Sequence, residues 1–395
     1  MFLKSNRHYA KVIQKMKLLY ISNQRLPTEK AYGIQIAKMC EAFADLGNEV
    51  TLMLPFRYNS IREDFFHYYA VRKNSKLKKV FAPDFYLPGR LDRLAFEIKM
   101  FFSGMILSLA VLRRKADIIY SRDEWPLYFL SFFRKNIVFE AHKFSKAKNF
   151  FYRKLCRVGA RLVVISNGLK SAFVKNGWPE EKILVAPDGV DLKQFNLEIT
   201  KEEARKIQGL PLDKKIVLYS GHLYEWKGVE TLLETAKLIS NKNEDVIFVF
   251  VGGTDEDVRE FKKKAAGLKN VLILGYRPHS QIPTYLQSAD VLVLPNKSGT
   301  NISEEFTSPL KLFEYMASGR PIVASNLSSL REVLNDKNSV LVEPDNPKAL
   351  ADGIKLAINN DSHSESLARQ ALEDVQLSSW EQRAKKIIKF TVYEK

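Results

Sequence analysis

The sequence predicts an α/β protein built from two doubly wound, Rossmann-like domains facing each other across a cleft. Three observations predict it. Short runs rich in Val, Ile and Leu alternate with helical patterns along the whole chain, the signature of βαβ units around parallel sheets. The series runs through once and restarts after a polar stretch at 196–211. The 395 residues also exceed what one ordinary core encloses.

In the first series, 18–22, 49–55, 117–121, 136–142, 161–166 and 182–187 read as buried strands, with helices at 32–46 and 92–114. In the second, the strands are 214–221, 245–253, 270–276, 289–295, 321–325 and 339–343. Helices at 228–240, 256–266, 309–318 and 347–359 separate them. The expected domains are 1–195, completed by 376–395, and 196–375. A closing helix at 379–390 is expected to pack back on the first domain through Trp380, Ile387 and Ile388.

The 46% hydrophobic content is that of an ordinary globular chain. Cys40 and Cys156 are too few and too far apart for a disulfide framework, and they fit a reducing, cytoplasmic setting. No Cys/His cluster suggests zinc. The basic start, 1–17, lacks the continuous apolar core of a secretory signal. The longest apolar run, 101–112, is shorter than the roughly 20 residues a bilayer span needs.

The net charge of +17 is unevenly placed. Residues 1–195 hold 35 Lys and Arg against 17 Asp and Glu, whereas 196–395 hold 27 against 28. A basic half suits an anionic membrane or an anionic substrate. A nucleic-acid partner is not expected, because the lysines are not interleaved with an aromatic RNA-binding signature. At 92–115, Phe96, Met100, Phe101, Met105, Ile106 and Leu109 recur at helical spacing beside Lys99, Arg113, Arg114 and Lys115. With the basic stretch 72–81, this reads either as a helix lying on a membrane or as one packed on the first sheet.

Ligands of open α/β sheets sit beyond the carboxyl ends of the strands, so candidate residues are sought there. The segment 308–325, SPLKLFEYMASGRPIVAS, opens a helix: Ser308 can cap it, and Pro309 suits its first position. The free N–H groups of Leu310 and Lys311 at that start would make an anion site suited to a diphosphate. Glu314, one turn on, can accept two hydrogen bonds from a ribose diol. In 220–228, SGHLYEWKG, Lys227 is a phosphate-binding point charge at a helix start and His222 a second candidate. Arg277 follows a strand in a loop whose backbone could read a base edge. His142 ends a strand in the basic half. Gly33, beside Tyr32 ahead of the first long helix, permits close approach of a ligand to the backbone.

Taken together these pieces resemble glycosyltransferase family 4, retaining enzymes of the GT-B fold. The likeness runs nearly end to end, through ISNQRLPTEKAYGIQIAKMCEAFADLGNEVTLM, EAH at 140–142, VISNGLKSAF, ILVAPDGVDLKQF, SGHLYEWKGVETLLETA, FVFVGG, LGYRPHSQIPTYLQSADVLVLPN, SPLKLFEYMASGRPIVAS and SSWEQRAKKII. It implies that Lys227 binds phosphate, that Glu314 holds the ribose and that Leu310 and Lys311 donate to the diphosphate. It also implies that His142 lies near the transferred sugar, that Gly33 lies near donor phosphates and acceptor, and that Arg277 sits in the base-contacting loop. Two departures stand out. The family's first motif Glu falls at Phe306, leaving Glu304 or Glu305 as substitutes, and His222 stands where an arginine is common.

The implied reaction moves a sugar from a nucleoside diphosphate, UDP or GDP, to an acceptor hydroxyl with retained configuration. The acceptor is expected to be a lipid-linked or cell-envelope glycan. No metal or other cofactor is expected, since fixed cations stand in for it. The rival readings are a nucleotide-sugar epimerase on the same fold and a non-catalytic basic binder of membrane surfaces. The expected location is cytoplasmic, with a peripheral position on the inner face of the cell membrane.

Overall fold

The computed structural model describes residues 15–393 apart from Tyr86, Pro88, Arg90 and 241–244, so most of the basic start lies outside the described residues. The chain divides into two compact units. One comprises Met1–Val164, Leu169–Ala186 and Trp380–Lys395, and the other Ile165–Gly168 and Pro187–Ser379.

The first unit holds β1 (Lys17–Ile21), β2 (Glu49–Phe56), β3 (Lys76–Phe81), β4 (Ile118–Ser121), β5 (Ile137–Ala141), β6 (Arg161–Val164) and β7 (Ile183–Val185). They form one parallel sheet in the order β3-β2-β1-β4-β5-β6-β7. The sequence reading missed β3. Its KLKKVF has no apolar run, because it is an edge strand paired only to β2, with its lysines and Phe81 turned to solvent. Lysine on an edge discourages further pairing.

The second unit holds β8 (Lys215–Ser220), β9 (Val246–Val251), β10 (Val271–Gly275), β11 (Val291–Leu294), β12 (Ile322–Ser325) and β13 (Val340–Val342). They too form a parallel sheet, in the order β10-β9-β8-β11-β12-β13. Strand alternation buries both faces. Ile216 and Leu218 point into a core with Phe313, Met316 and Leu330. Val217 and Tyr219 point into another with Leu232, Phe248 and Ile354. In each sheet the strand order reverses once, between β1 and β4 and between β8 and β11. Ligand crevices of such sheets open at the carboxyl ends of those strands.

The division between units falls at Ala186, ahead of the expected 195. Val190 and Phe195 explain the difference, since both are buried in the second unit's core. The last helix, Trp380–Tyr393, belongs to the first unit and packs on the helix Ala31–Asp45. It buries Trp380, Ala384, Ile387, Ile388 and Phe390.

The helix expected at 92–114 runs Leu91–Leu112. It is long and apolar enough to cross a membrane by length and composition, which the short run 101–112 concealed. One face is nonetheless part of the unit, packed on the helix Glu124–Leu130 and on β2 and β3.

Candidate functional site

In the second unit, β8 ends at Ser220 and the chain turns through a single 3-10 turn, Glu225–Lys227, into the helix Val229–Ser240. Gly228 closes that turn with φ +71°, and a Cβ there would fall 1.6 Å from the carbonyl oxygen of Pro295 after β11. Only glycine allows this approach. The Lys297 N–H also donates to the Trp226 carbonyl at 3.1 Å. The loops after β8 and β11 are thereby locked together, with Lys227 between them. Its ammonium sits 3.8 Å from the centre of the Trp226 ring, and burial pushes its pKa down to about 7.

The helix Leu310–Ala317 is held against the end of β8 by Tyr315, whose hydroxyl accepts from the Ser220 N–H at 2.8 Å. The expected Ser308 cap does not form. Pro309 takes the cap position in extended conformation without a side-chain bond, and the Ser308 hydroxyl accepts from the Asp188 N–H at 3.4 Å. The first-turn amides of Leu310 and Lys311 lie beyond the reach of any intrahelical acceptor.

Lys311 matters for its side chain as well, which the sequence reading did not consider. It is 8% exposed, and its ammonium lies 3.7 Å from the Tyr219 ring centre with no hydrogen-bond partner among the described residues. Burial first, and then the charge of Lys227, hold its pKa well below the usual lysine value. The charge of Glu314 acts the other way but does not outweigh them, so two desolvated lysines beside an uncapped helix start make a site suited to a further anion.

Glu314 is also buried, and its Oε1 is bonded to Nε2 of His279 at 2.7 Å. His279, which the sequence reading passed over, follows β10 and rests on Phe195 with ring centroids 5.6 Å apart. Arg277 turns inward on its own loop, donating to the carbonyls of Leu274 and Tyr276 and to the Tyr285 hydroxyl. Any base contact there falls to the backbone. The His222 ring stacks on Tyr224 at 4.8 Å, its planes nearly parallel. Of the two substitutes for the first motif Glu, Glu304 accepts the Gly299 N–H at 2.7 Å, while Glu305 is exposed and its carbonyl accepts the Ser166 hydroxyl. Both lie in a π-helical turn, Ile302–Phe306, with Phe306 buried.

In the first unit, His142 follows β5 and its Nε2 lies 2.5 Å from Oε1 of Glu140. Glu140 is fully buried and also accepts from Gln35 at 2.7 Å, from Arg383 at 2.8 Å and from the Tyr120 hydroxyl. Arg122 donates to Gln35 behind it. Burial alone would raise the Glu140 pKa, but Arg383, His142 and Arg122 hold it well below the usual carboxylate range. An ionised carboxylate so fixed sets the ring orientation of the histidine it touches. Arg383 comes from the returning C-terminal helix, and nothing in SSWEQRAKKII distinguishes it from its basic neighbours.

Gly33 sits inside the first turn of its helix rather than ahead of it. A Cβ there would meet the Tyr69 hydroxyl at 2.1 Å. That hydroxyl accepts from the Thr28 N–H and donates to the Thr28 carbonyl. The close approach that requires glycine comes from this tyrosine, which pins the loop after β1.

Two family models divide the chain between them: Glycosyltransferase Family 4 over residues 33–194, and Glycosyl transferases group 1 over residues 200–374. The chain belongs to this family. A D-inositol 3-phosphate glycosyltransferase of Corynebacterium urealyticum is 26% identical over 254 residues, 60% of this chain. The match covers 58% of that relative's own length. A putative teichuronic acid biosynthesis glycosyltransferase of Bacillus subtilis, TuaC, is 23% identical over 86% of this chain and 88% of its own. Among solved structures, HepE of Anabaena in complex with UDP-glucose superposes with a TM-score of 0.71 at 17% identity. That match covers 95% of this chain and 98% of the other, and it is a likeness of fold. The family-4 chain thus carries its cationic site in the group 1 segment and its fixed histidine in the family 4 segment.

Proposed function

We propose that the protein transfers a sugar from a nucleoside-diphosphate donor to an acceptor hydroxyl, with retention and without a metal. The observation that carries this reading is the pair Lys227 and Lys311, two desolvated ammoniums whose mutual repulsion and burial outweigh the nearby charge of Glu314, Lys311 having no hydrogen-bond partner among the described residues. A diphosphate supplies the missing charge. HepE, solved with UDP-glucose, supports a nucleotide sugar as its source. The teichuronic acid role in the name of TuaC supports a cell-envelope glycan as acceptor.

In the reaction, the acceptor oxygen bonds to C1 of the sugar as the bond from C1 to the diphosphate oxygen breaks. The acceptor proton passes to a diphosphate oxygen on the same face, so configuration is kept. Negative charge grows on the departing diphosphate, where Lys227, Lys311 and the amides of Leu310 and Lys311 stabilise it. Glu314, steadied by His279, holds the ribose, and His142 meets the sugar.

The test is incubation with UDP- and GDP-sugars in EDTA, with and without glycan or lipid-linked acceptors. The expected result is nucleotide release and a new glycoside only when acceptor is present, with the donor's anomeric configuration seen in its NMR spectrum. An altered sugar nucleotide formed without acceptor would make the protein an epimerase. Absence of binding by every donor overturns the reading, and a requirement for added magnesium or manganese overturns its metal-free form.

A further inference from the structure

We infer that the first unit docks on an anionic lipid bilayer through the outer face of the helix Leu91–Leu112 and the aromatic residues continuous with it.

The helix wears its polarity the wrong way round for water. Its buried face carries Lys99, Ser103 and Ser108 among its apolar residues, with Lys99 paired to Asp84 at 3.4 Å and the Ser108 hydroxyl bonded to the Gly104 and Pro126 carbonyls. Along one side it exposes Leu91, Leu94, Ile98, Phe102 and Leu109, spaced three, four, four and seven residues apart, while Asp92, Arg93, Phe96 and Glu97 are exposed off that stripe in its first two turns. A surface helix in solution shows the opposite arrangement. The helix is firmly seated all the same, since a Cβ on Gly104 would fall 2.7 Å from Cβ of Trp125. The outward stripe is therefore a feature of the packed structure. The residues inferred from sequence periodicity are partly others, since Met100 is buried and Phe101 packs on Trp125 and Phe129.

The apolar surface extends beyond the helix. Trp125 and Tyr128 lead from Phe101 to Phe150 and Phe132, both exposed, and Phe133 beside them is 70% exposed. Contiguous apolar surface on this scale marks an interaction site. Its rim says with what. The segment 91–157 holds 14 Lys and Arg against 6 Asp and Glu. Arg113, Lys115, Lys135, Lys146 and Arg153 are exposed, and the ammonium of Lys154 lies 3.8 Å from the Phe132 ring centre. A long, one-sided apolar stripe with cations around it matches a phase that is apolar inside and anionic at its surface.

This inference is independent of the donor site, whose residues lie in the second unit, so the two fail separately. The test is cosedimentation with phosphatidylcholine vesicles, with and without phosphatidylglycerol, at low and high salt. Quenching of tryptophan fluorescence by brominated lipid reports insertion near Trp125. Binding is expected only to the anionic vesicles, weakening as salt rises. Leu94→Glu with Phe102→Glu should weaken it at least tenfold while nucleotide-induced thermal stabilisation stays unchanged. Absence of binding, binding indifferent to lipid charge and salt, or wild-type binding by the double variant overturns the inference. A double variant that loses its nucleotide-induced stabilisation is replaced by Arg113→Ala with Lys115→Ala, judged by the same salt-dependent binding.

Discussion

Lys311 is the residue where function and stability pull furthest apart. Its ammonium is buried without a hydrogen-bond acceptor among the described residues, and the charge of Glu314 offsets the burial and the repulsion of Lys227 only in part, which costs free energy in the empty protein. Lys311→Met keeps the length of the side chain and removes the charge. The expected outcome is a higher melting temperature together with nucleotide binding at least about tenfold weaker, a difference of about 1.4 kcal/mol. A variant that melts lower and binds as well would show that the charge has no anion to meet. Lys227 supports a second prediction, with a sign. With the site empty its pKa is about 7, so above that pH the amine is mostly neutral. A bound diphosphate favours the ammonium and raises the pKa. Binding should take up protons at about pH 8 and weaken as pH rises above about 7. Calorimetry in buffers of different ionisation heat reads this directly, and an affinity independent of pH would refute it. Glu314→Gln should weaken nucleotide binding by about 1–3 kcal/mol, the worth of a charged hydrogen bond, without loss of fold. These residues were unequally legible. Lys227 and Glu314 stand at motif positions after a strand and inside a helix start, whereas the Lys311 side chain and His279 become visible only when β8, β10 and the helix Leu310–Ala317 are brought together.

At the scale of elements, the strands that fill both sheets were legible because burial on two faces demands unbroken Val, Ile and Leu. β3 escaped because an edge strand has no such demand, and its three lysines placed it in the basic stretch 72–81. Ser308 was misjudged as a cap because a serine before Pro309 satisfies the local rule, but its hydroxyl is taken by the Asp188 amide, 120 residues away in the chain. Arg277 does follow a strand as expected, but its guanidinium bonds to its own turn. The Glu140 network was legible only in part, through EAH. Arg383→Ala removes a buried guanidinium from a fully buried carboxylate and should destabilise the protein by about 3 kcal/mol. If Glu140 also sets the His142 ring, turnover should fall in the folded variant while nucleotide affinity holds. Equal turnover at a temperature where the variant is folded would confine Arg383 to stability.

At the scale of the molecule, the first unit is assembled from three stretches of chain and the second lies nested between them, apart from the short piece Ile165–Gly168. The closing helix supplies five buried apolar residues to the first unit. Its deletion after Ser379 should lower the melting temperature of the first unit while the second still binds nucleotide. Unchanged melting would refute the dependence.

That nesting also fixes an order of events during synthesis. The first unit's sheet leaves the ribosome early, but Glu140 waits for Arg383, some 240 residues later. The second unit, begun later, is complete at Ser379, before the helix that carries Arg383. A chain cut short before its last helix therefore carries a complete second unit and, in the first, a Glu140 that lacks its arginine. If the proposed transfer holds, such a chain is expected to bind nucleotide without turning it over, which binding and product assays on the shortened chain would check.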